Sequence, residues 1–148
     1  MIRCQIALLA KNIVRDSETN SISVFHIIEN FKSVSFPVFI PEISFFAHLI
    51  RGEDDPDVIE SLLDIAINEL EIISIPAKAD FQGKFANRLT VRVEGLAIPK
   101  PGILTVNLRH GDTILAHYDV SVESVGKPRA EVRSDEAMEE MLGEEKNR

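Results

Sequence analysis

Four histidines, a single cysteine, one acidic run and a cluster of phenylalanines are the residues of this 148-residue chain whose types could support chemistry or recognition. His26, His48, His110 and His117 show neither H-x-H nor H-E-x-x-H spacing. Zinc catalysis needs three protein ligands and an open position, and no local stretch assembles them. His26 and His48 sit inside apolar segments, which predicts hydrogen-bonded core or interface histidines. His110 falls in a turn and His117 on an outward face, a pair that could approach across one hairpin. Cys4 opens a first strand rather than a helix N-terminus or glycine elbow, so nothing local lowers its pKa toward nucleophilic use. G-x-S-x-G, P-loop and G-x-G-x-x-G sequences are all missing. A catalytic site built from distant residues would draw first on His48, Asp112, His117 and Asp119. The expectation is a non-catalytic protein without a cofactor or metal.

Gly52-Glu53-Asp54-Asp55-Pro56-Asp57 is the densest charge feature of the body. Calcium wants six to eight oxygens, and this spacing does not match the EF-hand loop. A solvated turn is expected. The aromatic signal is stronger. Phe25, Phe31, Phe36, Phe39, Phe45 and Phe46 are six of the eight phenylalanines and flank the apolar segment Phe36-Pro37-Val38-Phe39-Ile40-Pro41. Proline at positions 37 and 41 restricts that segment to extended backbone and removes two ladder donors, which predicts an edge segment or a sheet-to-sheet connection. Phe36 and Phe39 either plug the end of the core or, left exposed, form a surface for a partner.

Composition narrows the classes further. Sixteen Lys and Arg stand against 24 Asp and Glu, a net charge of −8. The basic residues before Lys127 are scattered singly, so the footprint that phosphate counterion exchange requires is missing, and neither nucleic acid nor an anionic membrane is an expected partner. A lone cysteine makes no internal disulfide. The apolar stretch Ile6–Ala10 is shorter than a signal-peptide core, and no run approaches the roughly 18 residues of a membrane helix, so a cytoplasmic setting is expected.

The elements that must position these residues read as strands. Leu104, Val106 and Leu108 alternate with polar neighbours, His110-Gly111-Asp112 turns the chain, and Ala116, Tyr118, Val120 and Val122 alternate beyond it. Such a pair predicts an antiparallel hairpin with one buried face. Thr90–Leu96 alternates too and is expected to join it, through the Pro99–Gly102 turn, as a three-strand meander. Further strands are expected near residues 4–14, 21–28, 43–50, 59–68 and 71–75, with the first two joined by the self-bonding turn Asp16–Asn20. Helix rivals strand over 58–73. Seven or eight short strands predict an all-β domain over residues 1–125, a two-sheet antiparallel β-sandwich of immunoglobulin-like architecture, with a closed barrel as the alternative. Without Trp or a second Cys the likeness is architectural only. Residues 126–148 are expected as a charged tail or short helix, in which Met138, Met141 and Leu142 could share one face.

The order of features from Cys4 through Ile50 resembles a family of small uncharacterised bacterial proteins grouped only as a domain of unknown function. Those features are the Cys4 strand, Asp16…Asn20, Ile22-Ser23-Val24-Phe25-His26-Ile27-Ile28-Glu29, Phe36-Pro37…Pro41 and Phe45-Phe46-Ala47. The resemblance implies a small β-sandwich-like domain in a bacterial cytoplasm and no activity.

Taken together, these features point to a protein-interaction or self-assembly module. Its partner would be another protein or a second copy in a homodimer, and its surface would include Phe36, Phe39, Ile40, Met138, Met141 and Leu142. A small-ligand or carbohydrate-binding sandwich is the alternative, and an enzyme the third. If the acidic loop is only a turn, millimolar calcium leaves the melting temperature unchanged. A saturable rise that disappears in the Asp54→Asn/Asp55→Asn variant would contradict this.

Overall fold

A computed structural model describes residues 1–126; Met138, Met141 and Leu142 lie outside the described residues. Nine strands form: β1 (Arg3–Arg15), β2 (Ile22–Ile27), β3 (Asn30–Ser33), β4 (Val38–Ile50), β5 (Val58–Ile67), β6 (Leu70–Asp80), β7 (Ala86–Ile98), β8 (Gly102–His110) and β9 (Thr113–Ser124). They make two sheets, ordered β2-β1-β4-β7 and β3-β9-β8-β5-β6. This is the two-sheet β-sandwich that the alternation predicts. The pairing is antiparallel throughout except for β3, which runs parallel to β9.

Local chemistry explains each departure from expectation. The segment left open between helix and strand becomes β5 and the start of β6, with Ile59, Leu63, Ile65 and Ile67 buried at every second position. Asn68 and Glu69 both take left-handed backbone (φ 45 and 71), the requirement of a tight two-residue hairpin. Asn68 also clamps the β7–β8 connection: its Oδ1 accepts from the Ile103 amide at 3.0 Å and its Nδ2 donates to the Pro101 carbonyl at 3.3 Å. The expected meander does not form. Across Pro99–Gly102 the chain changes sheets, so β7 pairs with β4 while β8 pairs with β5 and β9.

The core lies between the two inner faces. Leu9, Phe45 and Val91 stand in register across sheet A (β2-β1-β4-β7), and Leu63, Ile65, Leu104, Val106, Leu108 and Val120 supply sheet B (β3-β9-β8-β5-β6). Inward parity changes once along β4 and β7. Ile43 and Val93 face the core on one side of Pro41 and Gly95, and Ile40 and Leu96 face it on the other. Gly95 sits at φ 71, a conformation L side chains resist, and this lets the pleat invert. The spacing Val91, Val93, Leu96, Ile98 carries that change in sequence.

Phe45 is fully buried at the centre of the core. Phe45→Ala is expected to cost about 3–5 kcal/mol in urea unfolding. A loss below about 1 kcal/mol would mean that the two faces do not close on this ring.

Candidate interaction surface

The surface is built where the chain crosses between sheets and where one hairpin leaves the sandwich. At the β2–β3 crossing His26 adopts φ 57, and the next residues divide their bonds between the sheets. The Ile28 amide donates to Leu9 at 2.8 Å in sheet A, and the Glu29 carbonyl accepts from Ser121 at 3.2 Å in sheet B. The Tyr118 hydroxyl pins this corner by donating to the Ile28 carbonyl at 2.7 Å. Burial, with Glu29 nearby, pushes the Tyr118 pKa upward. His26 is exposed here, which removes the core placement from the core-or-interface pair that its apolar flanks predict, because its left-handed turn swings it off the ladder.

Residues 34–37 make the second crossing, through a cis Phe36–Pro37 bond, into β4. The segment expected there as a connection therefore serves partly as one and partly as the first turn of pleat in β4. Phe36 and Ile40 are half-buried against the core. Phe39 is 63% exposed, on the outer face beside Gly95, where the ring lies 3.7 Å from the place a Cβ would occupy. The pleat inversion at Gly95 is what turns Phe39 outward. An open cleft of about 460 Å³ borders Ile40 and is walled by Lys11, His26, Glu29, Phe31 and Glu42.

The β1–β2 hairpin carries a further apolar surface. Ala10 still pairs with Ser44 of β4, but beyond it the hairpin separates from β4. The Arg88 guanidinium on β7 donates to the Asn20 carbonyl at the hairpin tip. In the order β2-β1-β4-β7 such a contact requires the hairpin to lean across the outer side of β4. That explains why Ser44 and Phe46, which alternate away from the core, are nonetheless buried. Ile13, Ile22 and Val24 on one side of the arm are half-buried. On its other side Val14, Phe25 and Ile27 stay about half exposed (50%, 49% and 52%), and the register Asn12↔Phe25, Ala10↔Ile27 and Val14↔Ser23 puts them on one face.

The remaining sequence candidates are dispersed. His48 is half-buried on the outer side of sheet A, whereas His117 is exposed on sheet B, so the suspected His48–His117–Asp112–Asp119 set is not brought together. His117 is held locally, Nε2 3.0 Å from Asp119 and Nδ1 2.5 Å from Asn107. His110 is bonded instead to the Glu60 carbonyl at 2.8 Å. The Cys4 thiol donates to the Ile6 carbonyl at 3.2 Å, and burial pushes its pKa up, away from the thiolate a nucleophile needs. In the acidic loop Asp55 accepts from the N-terminal ammonium at 2.8 Å and from the Gly52 amide at 2.7 Å. Asp57 accepts from the Gly83 amide at 2.7 Å and pairs with Arg51 at 3.4 Å. These carboxylates bind the chain to itself. Among the described residues no group of three or more His, Cys, Asp or Glu is placed to hold a metal, and no helix is long and apolar enough to cross a membrane.

Sequence reasoning missed Arg51. Its guanidinium is nearly buried, lies 5.7 and 5.5 Å from the Phe81 and Phe85 ring centres, and donates to the carbonyls of Lys84 (2.6 Å) and Asp55 (3.2 Å). One side chain thus fixes the connection before β5 to the one before β7. No family model matches the chain, and no curated protein matches it.

Across sheet B, Asp64 accepts from Arg109 at 2.8 Å and from the Ser74 hydroxyl at 2.6 Å. The Arg109 hydrogen bond, against a partial burial cost, holds the Asp64 carboxyl below its ordinary range. A depressed folded pKa stabilises the fold above the unfolded carboxylate value and loses that contribution as pH falls through the folded one. Asp64→Asn should therefore lower the urea midpoint at neutral pH, with the gap to wild type closing in acid. A gap that stays constant down to low pH would contradict this.

Proposed function

We propose that this chain is a non-catalytic interaction module, binding a protein partner or a second copy of itself through the apolar side of the β1–β2 arm and the nearby Phe39. The observation that carries the reading is the stripe Val14, Phe25 and Ile27. Three large apolar side chains sit on one face of an arm that already has its other side covered. Monomers in water seldom keep such patches without use. The arm's short connection, its polar tip and its anchorage at Arg88 make it a fixed platform rather than a loose loop. Open sheet edges add a second means of docking. β7 is a 13-residue edge strand with no proline inside it, whereas β6 carries Pro76 and β3 is four residues long. The reading goes with the bacterial, cytoplasmic setting that the sequence leads one to expect.

Phe25→Ser, Ile27→Ser and Phe39→Ser remove exposed apolar surface, so each should change folding stability by only about 0.5 kcal/mol. Light scattering and capture on immobilised full-length chain should show weakened association at unchanged melting temperature. Association untouched by all three would contradict the reading, and so would loss of the fold without loss of association.

A further inference from the structure

We propose that the cleft between the β1–β2 arm and the β4–β7 side of the sandwich binds a small oxyanion, a phosphate ester or a polycarboxylate. The site is separate from the apolar platform and does not depend on it. It occupies about 570 Å³, within the size range of small-molecule sites. Its cations are Arg15 from the arm, Lys84 from the β6–β7 connection and Arg88 from β7, with His48 beside them and Asp80 as the acid on the lining. In a chain of net charge −8 this convergence runs against the overall field.

These charges are also unspent. Arg51, Arg92 and Arg109 are each paired with carboxylates, whereas Arg15, Lys84 and Arg88 make no ion pair among the described residues. The acids close at hand accept from backbone amides. Asp16 turns its carboxylate onto the amides of Glu18 (2.8 Å) and Thr19 (3.1 Å), and Asp80 accepts from the Gln82 amide at 3.0 Å. Arg88 uses one N–H group on the Asn20 carbonyl, which fixes its guanidinium and leaves the remaining donors free.

The walls are held in advance of any ligand. The Lys84 amide donates to the Phe81 carbonyl at 2.9 Å, and the Lys84 carbonyl accepts from Arg51. Gly83, at φ 76, is tied to Asp57. Asn87, also on the lining, donates to the Asp80 carbonyl at 2.8 Å. Its Oδ1 is the one buried side-chain oxygen without a partner among the described residues; as an acceptor it would meet a donor such as a ligand hydroxyl, while the cations meet the anionic oxygens. Positive charge on a fixed loop, facing a polar cleft, recognises a multiply charged oxyanion by point-charge and guanidinium contacts. Phe81 is fully buried beneath the loop, so no aromatic ring is offered for base stacking.

The test is titration of the full chain with inorganic pyrophosphate and, separately, citrate at constant ionic strength, with glucose as the uncharged control. Calorimetry would be read beside amide chemical shifts. Saturable binding is expected with shifts confined to the cleft. Either anion alone, or both, supports the site and names its source. Arg15→Gln and Lys84→Gln should each weaken binding by about tenfold at unchanged melting temperature. Lys100→Gln, on the far β7–β8 turn, should leave it alone. No saturable shift with either anion, an equal response to glucose, or equal weakening by Lys100→Gln would overturn the proposal. None of those results bears on the apolar platform.

Discussion

Two sheets with apolar inner faces persist in water only by closing on each other, and nearly every other feature follows from how the chain meets that demand. Phe45, Leu9 and Val91 on one side and Leu63, Val106 and Leu108 on the other are removed from solvent together. Burial of this kind is the dominant favourable contribution to folding. It also dictates where the chain must cross: after β2, β3, β4, β6 and β7. Each crossing leaves backbone groups that have to find partners away from a ladder. Tyr118, Arg51 and Asn68 supply them at three of these corners.

Those corners also determine what is left for function. The frame consumes its internal polar groups almost completely, and its histidines and acids are engaged locally or separated on opposite faces. What remains free is peripheral. The β1–β2 arm leans over sheet A, and by doing so it covers Phe46 and Ser44, presents Val14, Phe25 and Ile27, and walls the basic cleft. One local event, separation of the hairpin from β4 beyond Ala10, thus underlies both candidate surfaces.

Much of the frame was legible in the sequence because period-two alternation survives wherever one face is buried. The β8–β9 hairpin around Gly111, the Asp16–Asn20 turn and the inner set Leu104, Val106 and Leu108 follow directly from it. The failures have physical causes. β3 is too short to show a period, and its parallel partner β9 is some ninety residues away in the chain. The sheet change at Pro99–Gly102 has the same residues as a hairpin turn, and only the competition of β5 for β8 decides it. Phe39 could not be assigned a side without the left-handed Gly95 on the neighbouring strand, beside which its ring lies. The basic cleft was invisible for a plainer reason. Arg15, Lys84 and Arg88 are isolated charges in three segments, and only the lean of the arm brings them together.

The central claim is that the sandwich is a frame and that recognition takes place on the arm over sheet A. Placing a photo-crosslinking residue at position 25 of the full chain, and in a separate protein at the comparably exposed position 103 on the outer face of sheet B, tests it most directly. The account predicts a discrete crosslinked species, a second copy or one partner protein, from position 25 and none from position 103. Crosslinking from position 103 alone, or from neither position, would contradict it.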